Sequence, residues 1–235
     1  MQSLIILLIY YWLITFSLVG YGILFNQVFL KSSENDIGYV GFYGVFILIF
    51  FSYISSFFIP HTELFNLIIL LVGLINILIN KKKNILQMNI KKLLIVFSIL
   101  TIFILLAKNH DDFPYYHFPY THLLTEYSNI IGLGNFNHGF RTHSSIFYLS
   151  SLFNLPYSNF FLLHLSPVFF MGFANIILYN KISLYLDGKK PSYILYLSLI
   201  SLVFINVFFA RLGEHGTDRS AMILIIIIII ELLYL

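Results

Sequence analysis

The sequence predicts an all-α protein. We expect a polytopic bundle of transmembrane helices, with about seven spans of which the last is truncated, and a long extracytoplasmic loop that carries interfacial helices. Of the 235 residues, 59% are hydrophobic and 10% are charged, and the mean hydropathy is +0.89. No soluble fold buries that much apolar surface, so the bilayer must solvate much of the chain. Because backbone groups in lipid need partners within their own segment, each apolar stretch is predicted to be a helix.

The apolar stretches set the number of predicted spans. Five are long enough to cross a bilayer, and two are shorter, one preceded by lysines that can snorkel and one at the end of the chain. The long stretches are 3–25, 39–59, 63–80, 158–180 and 193–210, and the short ones are 91–107 and 220–235. MQSLIILLIYYW has neither a basic region nor a small-residue cleavage site, which favours a retained helix over a signal peptide. IIIIIIELLYL has no polar flank, which indicates an incomplete last span.

The stretch IFYLSSLFNL (146–155) is too short to span and ends before a proline, so an interfacial or re-entrant helix is expected there. The chain then divides into three parts. These are N-terminal transmembrane helices (1–107), an extracytoplasmic loop with the interfacial helix (108–157), and C-terminal transmembrane helices that are incomplete (158–235).

The lysines predict the orientation. Segments 81–92 and 180–190 carry five and three lysines in short loops, and the positive-inside rule makes both loops cytoplasmic. The N-terminus and the loops 108–145 and 211–219 are then extracytoplasmic. All three arginines fall on that outer side, which the positive-inside rule does not explain. The net charge of +3 is too small to indicate nucleic acid, and the absence of cysteine excludes disulfides and thiolate metal sites.

The outer segment HDDFPYYHFP (110–119) concentrates polar chemistry beside a predicted span. Acids just beyond a helix end are in most proteins simply solvated. Here prolines stiffen the segment and aromatic residues anchor it at the interface, so Asp111 and Asp112 are candidates for the rim of an active site. Tyr116 and His117 follow within the same segment.

Two further outer segments carry candidate ligands. GLGNFNHGFRTHSS (132–145) can bring Asn135, His138 and Arg141 to an anion, or it is an ordinary turn whose Thr142 or Ser144 caps the next helix. RLGEHGTDR (211–219) is either a solvated hairpin with snorkelling arginines or the opposite wall of a pocket. Its candidate residues are Arg211, Glu214, His215, Asp218 and Arg219.

Two ionisable residues lie inside predicted spans. His164 and Glu231 are functional candidates on that ground, although the Ser166-Pro167 kink could simply satisfy His164.

The pair Asp111 and Asp112 lies at a helix exit, at the start of a long outer loop with short helices along the membrane, and in this the chain resembles GT-C-type membrane glycosyltransferases. The pattern D-x-x-x-Y-H-x-P, formed by Asp112, Tyr116, His117 and Pro119 and followed by GLGN and SSIF, resembles more closely a group of uncharacterised bacterial membrane proteins of that architecture, over roughly residues 100 to 160. The resemblance implies a bacterial inner-membrane enzyme that uses a polyprenyl-phosphate sugar and transfers the sugar to a glycan or lipid acceptor of the cell envelope.

The same resemblance implies roles for the outer residues. Asp112 or Asp111 would act as general base towards the acceptor hydroxyl. The negative charge that develops on the leaving phosphate would be compensated by one of the arginines or by a divalent cation. Substrate binding would fall to the remaining candidates, namely Tyr116, His117, Asn135, His138, Arg141, Arg211, Glu214, His215 and Arg219.

Three other classes of function remain open at this stage. Six outer histidines with the two aspartates could bind a transition metal, although the pairs at HxxxxH spacing do not share one helix face. A transporter or flippase would need charged residues near the midplane, and the spans have almost none. A structural membrane subunit would tolerate replacement of Asp111, Asp112 and Arg141.

Overall fold

The computed structural model describes residues 2–30, 36–80, 90–105, 111–186, 193–212 and 217–234. Within these ranges the chain is helical and contains no strand, which confirms the all-α class. The α-helices are α1 (Gln2–Phe25), α2 (Ile37–Ser56), α3 (Glu63–Asn80), α4 (Ile90–Leu105), α5 (Phe118–Glu126), α6 (Ser145–Ser151), α7 (Ser166–Leu186), α8 (Tyr193–Phe208) and α9 (Asp218–Tyr234). Two π-helical turns extend α1 and precede α5.

Four helices are long and apolar enough to cross a membrane. They are α1 with its π-helical extension (Ser3–Leu30), α2, α3 and α7. The helix α8 is apolar but shorter, and α4 and α9 have 16 and 17 residues. The described residues therefore support a membrane protein, with fewer full-length spans than the seven predicted.

The predicted span at 158–180 begins too early. The helix α7 starts at Ser166, and residues 152–165 form consecutive turns. Tyr157 and Asn159 have φ angles of 61° and 47°, in the left-handed region that non-glycine residues rarely adopt and that interrupts a helix. The leucines that follow are buried in the core, so the segment is as apolar as a span without being helical.

The chain between α4 and α7 packs over one end of the bundle. We call residues 111–165 the cap. The helix α6 within it contacts α2, α5 and α7, and its residues from Ile146 to Ser151 are buried. It is shorter than the predicted 146–155, and its enclosure fits a re-entrant helix better than one lying on a surface. The cap also has an apolar cluster of its own, made of Tyr120, Leu124, Phe140, Phe147 and Tyr148.

Glycine contacts hold α1 against α2 and α3. A Cβ atom added to Gly44 would overlap the carbonyl oxygen of Leu18, and one added to Gly20 would overlap that of Gly73. Small residues let helices approach closely in lipid, where the hydrophobic effect no longer drives helices together. These contacts fix the wall of the bundle on which the cap is built.

An ion pair links α7 to α9 at the end of the bundle opposite the cap. Lys181 Nζ lies 3.0 Å from Glu231 Oε1, and the lysine side chain is only 7% exposed. The Tyr39 hydroxyl donates to the same carboxylate. Glu231, a functional candidate from the sequence, therefore has a structural role in joining helices.

We expect Gly44→Leu to lower the midpoint of thermal unfolding strongly, because the side chain has no space against the Leu18 carbonyl. Overpacking of this kind costs about 1–3 kcal/mol or more. The fluorescence of Trp12, the one tryptophan of the chain, reports unfolding in detergent. Ser98→Leu, at an exposed small residue of α4, is the matched control and should leave the midpoint near that of the wild type.

Candidate functional site

The two acidic residues Asp111 and Asp112 are the first residues of the cap. Asp111 is exposed, whereas Asp112 is half-buried, and its carbonyl oxygen accepts from the backbone of the following π-helical turn. The Tyr116 hydroxyl lies 3.5 Å from Oδ2 of Asp112, at the long end of the hydrogen-bond range. Burial, then the charges of Asp112 and Asp218, raise the pKa of Tyr116. Its phenol therefore stays protonated at neutral pH, with both carboxylates within electrostatic range.

The turn 138–141 separates this acidic segment from a cavity. Gly139 packs against Tyr116, so that an added Cβ would lie 2.6 Å from the tyrosine Cβ. On the other side, Arg141 Nε donates to the Gly134 carbonyl oxygen at 2.9 Å. The turn is therefore held by contacts with Tyr116 and with Gly134.

A cavity of about 440 Å³ between α2 and the cap is lined by Arg141, and we call it the arginine cavity. His143 and Asn129 add further polar groups to its lining. Ile131 is 98% exposed, and Phe57 is half exposed. Apolar side chains exposed at the end of a helical bundle are typical of the membrane interface. The cavity therefore combines a cationic group with an apolar rim.

A hydrogen-bond network fixes the floor of the arginine cavity. The Tyr120 hydroxyl lies 2.7 Å from His143 Nδ1 and 2.7 Å from the Tyr148 hydroxyl. Burial is the main cause that raises the pKa of Tyr120, so its hydroxyl remains a donor at neutral pH. The network holds the exposed His143 ring at the edge of the cavity.

A second cavity, of about 240 Å³, lies between α2, α6, α7 and the start of α9. Its end near the cap is polar and its other end is apolar. We call it the hydroxyl cleft because four of its five polar residues bear hydroxyl groups. The polar residues are Ser144, Ser145, Thr217, Asp218 and Ser220, and the apolar ones are Phe46, Ile49, Ile146, Phe170, Ala221 and Leu224.

The predicted site residues do not form one cluster. Asn135 and His138 are exposed in the two 3₁₀ turns of the cap. His117 is 2% exposed, and its ring lies 5.3 Å from that of Phe147, so it packs inside the cap and lines neither of these two cavities. The structure thus associates Asp112 with Tyr116 and assigns Arg141 to a separate cavity.

The described residues of the outer segment 211–219 do not form a wall of the arginine cavity, although one of the two predictions for the segment required it. Arg219 donates to the backbone carbonyl of Arg211, which ties the start of α9 to the residues just after α8. Neither arginine lines the arginine cavity. Asp218 lies at the hydroxyl cleft, whereas Glu214 and His215 lie outside the described residues.

Metal binding finds no support in the part of the chain that the structure describes. No group of three or more His, Asp or Glu side chains there is arranged to hold an ion. The His122 ring stacks on Phe118 at 5.7 Å, and His143 bonds to Tyr120. We therefore derive no step through a divalent cation.

A buried polar cluster beneath the cap was missed from the sequence. The His61 ring is fully buried, with Nδ1 2.6 Å from Ser151 Oγ and Nε2 2.9 Å from Ser55 Oγ. The Asn66 amide donates to the carbonyls of His61, Ser151 and Asn154 at 2.8–2.9 Å. A polar residue inside an apolar helix was the signal that could have revealed the cluster.

Comparison with known proteins gives one result. A family model described as a domain of unknown function, DUF8201, matches residues 4–235. No curated protein and no solved structure matches the chain. The match includes the cap and both cavities.

We expect the protein to lose stability between pH 6.5 and pH 4. Burial lowers the pKa of His61 to about 4 and that of His164 to about 4. The unfolded chain then binds protons in this window that the folded chain does not, so the stabilisation is complete above pH 6.5 and declines as the pH falls. For His61 the loss amounts to about 3 kcal/mol.

Thermal unfolding measured from pH 7 to pH 4 tests this expectation. His61→Gln should be less stable at pH 7 and should show a shallower decline, whereas His138→Gln, at an exposed position, should follow the wild type. A His61→Gln profile parallel to the wild type would show that another group causes the decline.

Proposed function

The chain belongs to the DUF8201 family, whose description leaves the activity open, and we propose that it is a membrane glycosyltransferase. It would transfer a sugar from a polyprenyl-phosphate donor to a cell-envelope acceptor. The observation that carries this proposal is the arginine cavity, with its apolar exposed rim, beside a turn whose other face contacts Tyr116. A lipid phosphate and a carboxylate base would meet across this turn.

The proposal includes a topology of seven spans, in which α4, α8 and α9 join the four longer helices. The cap and the N-terminus would face the extracytoplasmic side of a bacterial inner membrane. Its support is the distribution of charge, because Lys92 and Lys181 lie at the end opposite the cap, whereas Arg141 lies in the cap and Arg211 and Arg219 lie where α8 ends and α9 begins.

Arg141 would bind the donor phosphate. A planar guanidinium with several donors suits phosphate oxygens. The contact from Arg141 Nε to the Gly134 carbonyl oxygen would orient the guanidinium, so that its terminal nitrogens would donate to the phosphate. The exposed rim at Ile131 and Phe57 gives the isoprenoid chain an apolar exit into lipid. A carrier phosphate lies at headgroup depth, which explains a cationic cavity at the end of a bundle.

Asp112 would be the general base. Its carboxylate takes the proton of the acceptor hydroxyl, the hydroxyl oxygen forms a bond to the anomeric carbon, and the bond from that carbon to the phosphate oxygen breaks. The electron pair leaves with the phosphate, whose charge Arg141 compensates. Asp112 suits this role better than Asp111 because it is half-buried and lies beside the Tyr116 hydroxyl.

Donor binding is tested with geranylgeranyl phosphate as the probe and geranylgeraniol as its uncharged analogue, on protein in lipid nanodiscs. We expect Arg141→Gln to weaken binding of the phosphate by about tenfold or more, because a charge-assisted bond is lost, and to leave geranylgeraniol unaffected. The affinity of Arg141→Lys for the phosphate should lie between those of the wild type and Arg141→Gln. If Arg211→Gln weakened phosphate binding by this amount and Arg141→Gln did not, the phosphate would bind between α8 and α9, which would contradict the proposal.

Base catalysis is tested by supplying a polyprenyl-phosphate sugar to the protein in lipid nanodiscs and following its turnover by mass spectrometry. Asp112→Asn should reduce turnover by about a hundredfold or more, the usual contribution of a general base. Asp111→Asn should have a much smaller effect, and Glu126→Gln, an exposed carboxylate of the cap, serves as the control. Full turnover in Asp112→Asn would exclude the mechanism.

A further inference from the structure

We propose that the hydroxyl cleft binds the acceptor, and that this acceptor is a neutral amphipathic molecule with a hydroxyl-bearing head group and an apolar chain, as in a neutral glycolipid. The role as acceptor rests on the proposed function. The binding of a neutral amphiphile in the cleft does not, because it follows from the lining residues.

A buried hydroxyl group at the cleft calls for a ligand. Ser220 is 1% exposed, and its Oγ has no hydrogen-bond partner among the residues that the structure describes. A buried polar group without a partner costs about 1–3 kcal/mol. Ser144, Ser145 and Thr217 line the same end of the cleft. A hydroxyl of a bound head group would satisfy Ser220 and find further partners around it.

The charge of the cleft selects a neutral head group. Asp218 lies at its polar end, and among its described lining residues none is basic. A carboxylate accepts hydrogen bonds from sugar hydroxyls and repels phosphate or carboxylate. Arg141 lines the other cavity and not this one. The two cavities therefore discriminate between an anionic ligand and a neutral one.

The apolar part of the cleft requires a chain on the ligand. Leu224 lies one helical turn below Ser220, a rise of about 6 Å along α9. Phe46 on α2 and Phe170 on α7 face the same space. A head group at Ser220 would thus place its next few carbon atoms against these side chains.

The position of Tyr116 connects the cleft with the proposed base. The charges of Asp218 and Asp112 both act on the Tyr116 hydroxyl, which lies 3.5 Å from the Asp112 carboxylate. A head group hydroxyl beside Asp218 would therefore lie within electrostatic range of the Tyr116 hydroxyl, which contacts Asp112.

Photolabelling tests the cleft directly. An octyl β-glucoside with a diazirine on its chain is added to the protein in nanodiscs and crosslinked, and the labelled peptides are mapped by mass spectrometry. We expect labels on α9 and on the part of α2 around Phe46. Competition by octyl glucoside should remove them, and competition by octyl sulfate should not, because Asp218 repels the sulfate.

Variants separate binding from stability. Asp218→Asn and Ser220→Ala should each reduce specific labelling by about fivefold or more. Asp218→Asn replaces a charged acceptor by a neutral amide, and Ser220→Ala removes a hydroxyl that would bond to the head group. Ser220→Ala should keep or raise the midpoint of thermal unfolding, because it removes a buried hydroxyl that no described residue satisfies. Ala221→Phe fills the cleft and should abolish labelling, whereas Glu126→Gln should not change it. Labelling that survives Asp218→Asn and Ala221→Phe would overturn the proposal.

The same variants distinguish this proposal from the proposed function. Binding of geranylgeranyl phosphate should be unchanged in Asp218→Asn and Ser220→Ala. If Arg141→Gln has no effect on that binding while the cleft is labelled as expected, the glycosyltransferase proposal fails and the neutral-amphiphile site stands. If phosphate binding depends on Arg141 and the cleft takes no label, the site proposed here fails alone.

Discussion

The cap depends on one side-chain amide. A chain that leaves the helical state inside a membrane bundle must find partners for its backbone carbonyls, because no water is available there. Asn66 shares its two N–H groups among three carbonyls, two of which belong to Ser151 and Asn154 at the end of α6. The Tyr10 hydroxyl does the same for the carbonyl of Pro156. With α6 held in this way, Tyr148 lines the arginine cavity and Ser145 lines the hydroxyl cleft.

The turn 138–141 contacts both the acidic segment and the arginine cavity. Gly139 packs against Tyr116 because it has no side chain to hold the two apart, and Arg141 is held by the Gly134 carbonyl oxygen. Under the proposed function, this turn alone would stand between the donor phosphate at Arg141 and the carboxylate of Asp112.

Much of the fold could be predicted from the sequence, because an apolar run in lipid has little choice but to form a helix. The start of α7 could not, since residues before it are as apolar as a span and only the φ angles of Tyr157 and Asn159 show the interruption. In the candidate site, Asp112 and Tyr116 are predicted to lie in one outer segment, but their contact depends on a helical turn in a stretch that the sequence predicts to be a loop.

The remaining parts of the site depend on contacts between distant segments. The cluster of His61 and Asn66 involves residues up to 90 positions apart, and spacing carries no information on such contacts. Similarly, the sequence predicts Arg211 and Arg219 on the same outer side as Arg141. In the structure the Arg219 side chain bonds instead to the backbone carbonyl of Arg211.

The ion pair between Lys181 and Glu231 anchors one end of α9. Separating these charges in a medium of low polarity is costly, so the pair fixes the position of this end of the helix against α7. The other end begins at Asp218, beside the hydroxyl cleft, where Ser144 and Ser145 of the cap line the same cavity. The 17 residues of α9 therefore connect a charged contact at one end of the bundle to the wall of the cleft at the other, so the position of that wall depends on a contact outside the cleft.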